Sequence, residues 1–103
     1  MDKSEVLENV RRFSDLVVER YHPLKILLFG SYVKGNYRDG SDIDVAVIVD
    51  KVKGSFLEQE AGLYKIRRDI DENIEPLLFE EGTDKSGFLD DILNYGEVIY
   101  QIE

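Results

Sequence analysis

Among the first twenty residues of the chain, apolar positions recur between polar ones with the period of a helix. Apolar side chains recur at steps of three or four residues, which predicts an amphipathic helix with one buried face. Asp2 and Glu5 have the spacing of a capping box at its start, and His22-Pro23 predicts its end. The apolar positions are Val6, Val10, Phe13, Val17 and Tyr21.

Three short apolar runs predict the strands of a sheet. Lys25–Phe29 is nearly continuous in apolar residues and ends at Gly30, which suits a strand buried on both faces. Ile43–Val49 is rich in β-branched residues, as strands are. In the third run, Ile74–Phe79, Pro76 cannot donate to a neighbouring strand and therefore favours the edge or end of the sheet.

The segments between and after these runs predict the remaining elements. A short helix opens at Ser31, and the polar, glycine-containing stretch that follows it predicts a turn. Phe56–Asp71 predicts a second amphipathic helix, and Ser86–Asn94 predicts a last helix that Gly96 ends. Val98–Tyr100 is predicted as a short strand or a tail. The apolar face of the second amphipathic helix is predicted to consist of Leu57, Ala61, Tyr64 and Ile70.

The order of these elements indicates the fold class. Helices and strands alternate along the chain, which predicts a small α/β sandwich with a mixed sheet and flanking helices. A length of 103 residues is that of one domain, so we expect a single unit over residues 1–103. A separate domain for recognising a substrate is therefore not expected.

Composition narrows the classes of function. The chain has 13 basic and 22 acidic residues, and the resulting net charge of -9 disfavours stable binding of nucleic acid. A local basic group remains compatible with binding of a nucleoside triphosphate. The chain has no cysteine, no signal-peptide pattern and no apolar run of the roughly 20 residues that a membrane helix needs. These features predict a cytoplasmic protein without a membrane association.

Two carboxylates at the start of the second strand are the first candidates for chemistry. Asp42 and Asp44 alternate, so both side chains project from one face of the strand, with Cα atoms roughly 7 Å apart. Carboxylates this close repel one another unless a cation lies between them. Mg²⁺ prefers such oxygen ligands and completes its shell with water and substrate phosphates, so Asp42 and Asp44 predict a magnesium site.

The turn after the first strand supplies a complementary feature. Gly30 allows the backbone to approach a ligand closely, and a helix beginning after it points free N–H groups at an anion. Ser31 can cap that helix and donate its hydroxyl to a phosphate oxygen. A phosphate-binding turn and a metal site would then face one another at neighbouring strand ends.

The combined pattern resembles a known family. Gly30-Ser31, ten residues, then Asp42-x-Asp44 is similar to the motif of the DNA polymerase beta-like nucleotidyltransferases. The chain length, the strand order and the ending ILNYGEVIY narrow the resemblance to the minimal nucleotidyltransferases, and it extends over nearly the whole chain. The resemblance implies that Asp42 and Asp44 bind magnesium and that Gly30 and Ser31 bind the phosphates of a nucleoside triphosphate.

One departure from the family pattern concerns the basic residues after the turn, and another is Glu75, where the family usually has Asp. The family often has Ala-Arg-Gly where this chain has Val33-Lys34-Gly35, so the positive charge is kept while a planar guanidinium is lost. Lys34 and Arg38 are candidate phosphate contacts, and a solvated surface role for either is equally compatible with the sequence. Ser41, next to Asp42, is also assigned to the nucleotide site.

The resemblance also implies a third carboxylate on a neighbouring strand. Glu75, at the head of the third strand, is the expected residue, although Asp71, Glu80 and Glu81 are close enough in sequence to compete with it. With two magnesium ions bound by Asp42, Asp44 and Glu75, a hydroxyl would attack the α-phosphorus and release pyrophosphate. Glu75 is expected to bind the second ion and to accept the proton.

The family further implies a substrate and a partner. Many members are antitoxins of HEPN-domain ribonuclease toxins, and some transfer AMP from ATP to a tyrosine of the toxin. We therefore expect a nucleotidyltransferase that uses magnesium and ATP and modifies a hydroxyl of such a toxin. Two alternatives stay open, a catalytically silent antitoxin that acts by docking and the catalytic subunit of a two-chain enzyme for small molecules. Oligomeric state and nucleotide choice are not indicated by the sequence.

Overall fold

The computed structural model describes residues 2–103, over which four helices alternate with four strands. The elements are α1 (Lys3–Tyr21), β1 (Lys25–Phe29), α2 (Ser31–Lys34), β2 (Ile43–Val49), α3 (Phe56–Arg67), β3 (Ile74–Glu80), α4 (Phe88–Tyr95) and β4 (Glu97–Gln101). The predicted α/β sandwich with a mixed sheet and flanking helices is confirmed.

The ends of α1 follow from local chemistry. Oδ1 of Asp2 accepts a hydrogen bond of 2.9 Å from the backbone N–H of Glu5, which satisfies one of the free donors at the start of the helix. At the other end, His22 adopts a left-handed conformation with a φ of 48°, and Pro23 follows it. The predicted boundaries are therefore confirmed, and His22 serves as the cap of a helix.

The sheet has the strand order β3-β2-β1-β4. β1 pairs in antiparallel fashion with both β2 and β4, whereas β2 and β3 are parallel and are connected through α3. β3 lies at one edge, as Pro76 predicts. This order brings the end of β1, the start of β2 and the start of β3 to the same end of the sheet.

The two faces of the sheet carry separate apolar clusters. Alternate residues of the strands, including Ile43 and Val45 of β2, pack with α1 and α3 on one face. Ala46 and Ile48 point to the opposite face, where they pack with Leu89 and Ile92 of α4. Asp44 has the same parity as Ala46 and therefore projects from the α4 face of the sheet.

Two predicted helix boundaries need correction. α3 ends at Arg67 instead of Asp71, because the chain turns there with Ile70 and Asp71 each donating to the carbonyl of Arg67. α4 begins at Phe88, since Ser86 belongs to the preceding turn, where its hydroxyl donates to Asp84 and accepts from the N–H of Phe88. Of the two alternatives predicted for Val98–Tyr100, the short strand is confirmed, since these residues lie in β4, which pairs with β1.

The predicted apolar face of α3 was partly wrong. Leu57 is 76% exposed, and Ala61 is exposed as well. The helix instead buries Leu63 and Ile66, which are one turn apart on the side that contacts the sheet. No helix within residues 2–103 is long and apolar enough to cross a membrane.

Candidate active site

The turn after β1 lies directly against the carboxylate of Asp44. Phe29 and Asp44 are paired in the antiparallel register of β1 and β2, so Gly30 follows at the position beside Asp44. Gly30 has a φ of 75° and a ψ of -149°, a conformation that other residues rarely adopt. A Cβ at this position would collide with Oδ2 of Asp44 and would lie 3.0 Å from its Cγ. Both the backbone conformation and the space therefore require glycine.

Three predicted carboxylates occupy the same end of the sheet. Asp44 is in register with Glu75 across the parallel β2–β3 pair, so their side chains project from the same face. Asp42 precedes β2 by one residue and is exposed. Burial is the main reason why the pKa of the Asp44 carboxyl rises from its ordinary value of 3.8 to about 6, and the negative charges of Asp42 and Glu75 add to the effect. The site thus concentrates negative charge around a partly buried carboxylate.

The other acids proposed for the third position lie elsewhere. Glu80 is in register with Val49 at the opposite end of β3, five residues from Glu75, or roughly 16 Å along the strand. Its Oε1 accepts the backbone N–H of Val52 at 2.7 Å, and Glu81 follows it still farther from the site. Glu75 is the acid that the register places opposite Asp44.

Asp71, the remaining candidate for the third carboxylate, stabilises the turn before β3. Its Oδ2 accepts a hydrogen bond of 3.1 Å from the side chain of Asn9, and its Oδ1 accepts one of 2.9 Å from the backbone N–H of Asn73. Both carboxylate oxygens therefore have structural partners.

Two residues of α3 hold Glu75 and were missed by sequence reasoning. The hydroxyl of Tyr64 donates to Oε2 of Glu75 at 3.2 Å, and a guanidinium nitrogen of Arg67 lies 3.4 Å from Oε1. Burial raises the pKa of the Tyr64 hydroxyl, which keeps it protonated as a donor. Tyr64 and Arg67 are three residues apart, so both side chains lie on one face of the helix. The sequence shows this spacing but does not indicate that the two side chains contact Glu75.

Within residues 2–103, no three His, Cys, Asp or Glu side chains are gathered closely enough to form a metal-binding group. Arg67 helps to keep Glu75 apart from the two aspartates, because its guanidinium is itself fixed by donating to the carbonyls of Glu72 at 2.6 Å and Ile74 at 2.8 Å. Glu75 is accordingly drawn toward the outer edge of β3, where Arg67 is anchored.

The predicted phosphate-binding residues border the other side of Asp44. Ser31 begins α2 immediately after Gly30 and is half-buried, while Lys34 ends α2 and is exposed. The backbone N–H of Lys34 donates to the carbonyl of Gly30 at 3.0 Å, so one helical turn connects the two residues. Tyr95 of α4 contacts both ends of this turn, and no local sequence signal pointed to it.

Arg38 and Ser41 close the turn before β2. The backbone N–H of Arg38 donates to Oγ of Ser41 at 2.8 Å, and the backbone N–H of Ser41 donates to the carbonyl of Arg38 at 3.0 Å. The Ser41 hydroxyl is thus used to fix the loop that presents Asp42. Nucleotide contacts by Arg38 and Ser41 stay predictions.

The chain matches a known protein family. The sequence profile of the family described as Polymerase beta, Nucleotidyltransferase matches residues 13–103. The chain belongs to this family. The predicted nucleotidyltransferase class is confirmed.

Two relatives from Methanocaldococcus jannaschii bear the provisional name of protein adenylyltransferase. One is 30% identical over 100 residues, which cover 89% of this nucleotidyltransferase and 96% of the relative. The other is 38% identical over 48 residues, which cover 47% of this chain and 48% of the relative.

Solved structures share the nucleotidyltransferase fold. A Sulfolobus solfataricus protein described provisionally as a nucleotidyltransferase aligns with a TM-score of 0.70 at 20% identity, over 96% of this chain and 83% of that one. A chain from a crystal structure of a toxin–antitoxin with AMP-PNP aligns with a TM-score of 0.62 at 18% identity, over 100% of this chain and 76% of that one.

Proposed function

We propose that this nucleotidyltransferase transfers AMP from ATP to a hydroxyl of a partner protein in a magnesium-dependent reaction. The observation that carries the proposal is the position of Asp44, which lies against Gly30 on one side and is in register with Glu75 on the other. A turn suited to phosphates and a set of carboxylates suited to a cation therefore meet at one residue. The provisional name of the relative that is 30% identical supports the transfer of an adenylyl group.

Asp42, Asp44 and Glu75 would hold the magnesium. The residues fit a divalent cation, because oxygen donors are the ligands that Mg²⁺ prefers and because the raised pKa of Asp44 reflects burial and repulsion that a cation would relieve. When bound, magnesium lowers the pKa of an attacking hydroxyl and offsets charge on the triphosphate. Glu75 must leave Arg67 or share its two oxygens for the three carboxylates to act together.

Gly30, Ser31 and Lys34 would hold the β- and γ-phosphates. Gly30 lets the triphosphate approach the backbone, Ser31 donates its hydroxyl, and Lys34 supplies positive charge in a chain with a net charge of -9. Arg38 is a second cation of the same loop. This placement would direct the α-phosphorus toward the carboxylates.

The chemical step follows from these positions. The acceptor oxygen forms a bond to the α-phosphorus, the bond from that phosphorus to the bridging oxygen breaks, and pyrophosphate leaves. Glu75 accepts the proton of the acceptor hydroxyl. Lys34 stabilises the charge that develops on the leaving pyrophosphate.

The acceptor in this proposal is a HEPN-domain toxin, for which the chain would be the antitoxin. The toxin–antitoxin crystal structure with AMP-PNP, whose chain shares this fold, supports a pairing of this kind. The net charge of -9 argues against a nucleic-acid acceptor, and the absence of cysteine is compatible with the cytoplasm.

One observation favours a second candidate, an antitoxin that neutralises its toxin by docking alone. Glu75 is held by Tyr64 and Arg67, and the three carboxylates are not gathered into one group within the described residues. A silent domain of this kind would not bind magnesium-ATP. The third possibility, the catalytic subunit of a two-chain enzyme, differs only in the acceptor.

The decisive experiment combines binding with transfer of a label. Magnesium-ATP is titrated calorimetrically into the wild type, Asp42→Asn and Asp44→Asn, and the wild type is incubated with labelled ATP and the protein encoded beside it. Binding that depends on magnesium and on both aspartates, with label on the neighbouring protein, is the expected result. Absence of binding in the wild type would favour docking, and label on a small molecule alone would favour the two-chain enzyme.

A matched pair of variants tests the role of Glu75. Glu75→Gln is expected to lower kcat by at least about 100-fold, because the base and one ligand are lost, while ATP still binds. Glu81→Gln removes an exposed acid just beyond the far end of β3 and should leave kcat unchanged. Equal rates for the two variants would remove Glu75 from the mechanism.

A further inference from the structure

Tyr95 contacts the phosphate-binding turn at both of its ends. The backbone N–H of Gly30 donates to the hydroxyl of Tyr95 at 3.2 Å. The ammonium of Lys34 lies over the ring of the same tyrosine, 4.7 Å from its centre. One side chain, contributed by a helix that is remote in sequence, therefore touches the first and last residues of the turn.

The fold fixes Tyr95 in this place. α4 buries Leu89 and Ile92 against the sheet, on the face from which Asp44 projects. Gly96, the next residue, packs so closely that a Cβ there would lie 2.6 Å from the carbonyl oxygen of Ile92 and 3.2 Å from that of Leu28. The end of α4 therefore packs closely against β1, and this packing places Tyr95 beside Gly30.

The two contacts act on the groups that carry the phosphate role. The hydroxyl accepts the N–H of Gly30 and so orients its peptide, at a residue whose φ of 75° lies outside the helical and strand regions. The ring restricts Lys34, an exposed side chain that would otherwise sample many rotamers. Because the Lys34 side chain is already oriented, it loses less conformational entropy when it binds an anion.

We propose that Tyr95 is a positioning residue for the triphosphate, which holds Gly30 through its hydroxyl and Lys34 through its ring. This inference rests on the proposed function and deepens it. Tyr95 itself does not take part in the chemical step. Substitution of Tyr95 should therefore weaken the affinity for ligands whose phosphates occupy the turn. The affinity for ligands that lack the β- and γ-phosphates should not change.

The test compares magnesium-ATP with AMP in calorimetric titrations. Tyr95→Phe keeps the ring and loses the hydroxyl, and should weaken ATP binding about 3- to 10-fold, the value of one hydrogen bond. Tyr95→Leu loses both contacts and should weaken it about 10- to 50-fold. The affinity for AMP should be unchanged in both variants. Tyr100→Phe, at a half-buried tyrosine of β4, is the matched control and should bind ATP as the wild type does.

A double-mutant cycle separates positioning from general damage to the fold. Lys34→Met should weaken ATP binding strongly in the wild type but less in Tyr95→Leu, since the ammonium is no longer oriented there. Equal losses of ATP and AMP affinity, additive effects of the two substitutions, or ATP binding by both Tyr95 variants at the wild-type level would each overturn the inference while leaving the proposed function standing. A wild type that binds no ATP would overturn both.

Discussion

The guanidinium of Arg67 lies 3.4 Å from a carboxylate oxygen of Glu75 and also donates to the two backbone carbonyls of Glu72 and Ile74. Arg67 thereby connects the end of α3 to the start of β3. The ion pair is partly exposed, with side-chain exposures of 23% for Arg67 and 37% for Glu75, so it contributes less than the two bonds to carbonyls.

This relationship predicts unequal effects on stability. Arg67→Ala should lower the free energy of unfolding by about 1–3 kcal/mol, because it removes charged donors from two carbonyls. Glu75→Gln should lower it by less than about 1 kcal/mol, because Gln still accepts from Tyr64 and only the ion pair is lost. Urea denaturation of both variants measures the difference. Equal losses would show that the ion pair is the main interaction of Arg67.

Gly30 is predicted to be irreplaceable for two separable reasons. Gly54 has the same φ of 75°, but beyond its chain neighbours no atom lies within 4 Å of the place that a Cβ would occupy, so Gly54→Ala tests a positive φ without a clash and should cost about 1–2 kcal/mol. Gly30→Ala should cost more and weaken ATP binding at least about tenfold, because its methyl group must displace the carboxylate of Asp44. Unfolding by urea and titration with ATP provide the two readouts. Identical unfolding energies for the variants would argue that Asp44 moves aside freely.

Asp44 is predicted to destabilise the metal-free protein at neutral pH. Its pKa is raised to about 6 in the folded state, so the folded protein favours the protonated form, and stability present near pH 4 is lost as the pH rises through 6. In the presence of a chelator, Asp44→Asn should therefore raise the free energy of unfolding at pH 7.5 by about 1–2 kcal/mol, allowing for partial exposure of the group.

That gain should shrink as the pH is lowered from 6 toward 4, because the wild-type carboxyl is then neutral as well. Asp15→Asn, at an exposed position of α1, is the control and should change stability little at either pH. A gain that is the same at pH 4 and pH 7.5 would contradict the electrostatic explanation.

The revised face of α3 gives a further prediction. Leu63→Ala should lower the free energy of unfolding by about 2–5 kcal/mol, since Leu63 is fully buried. Leu57→Ser should change it by no more than about 0.5 kcal/mol, since Leu57 is 76% exposed. A substantial loss of unfolding free energy in Leu57→Ser would show that Leu57 belongs to the buried face of α3, as the sequence pattern predicts.

The elements with the strongest local signals were predictable from the sequence. β1 and β2 have the predicted bounds because each is a short apolar run with polar residues or glycine on both sides. The apolar face of α3 was harder to predict, because its hydrophobic residues do not form one clear stripe and the sheet decides which of them are buried. β4 was uncertain for a similar reason, since only its pairing with β1 makes it a strand.

The candidate site was predictable where its residues are adjacent in sequence. The Gly30-Ser31 turn and the alternating aspartates form a local motif, and the order of the strands brings its two halves together. Tyr64 and Tyr95 were not predictable as members, because their contacts depend on where α3 and α4 pack against the sheet. Register was also needed to distinguish Glu75 from the other acids near β3.

The outer edge of β3 has a consequence for assembly. Ile74 donates its N–H to the carbonyl of Asp71 at 3.2 Å, Pro76 has no N–H, and Leu78 donates to the carboxylate of Glu60 at 3.1 Å. Three successive outward positions therefore offer no N–H donor to another strand, a protection against aggregation at sheet edges. Growth of the sheet by strand exchange or fibril formation is disfavoured on the side of Glu75, because an approaching strand would find no free N–H donor at these three positions.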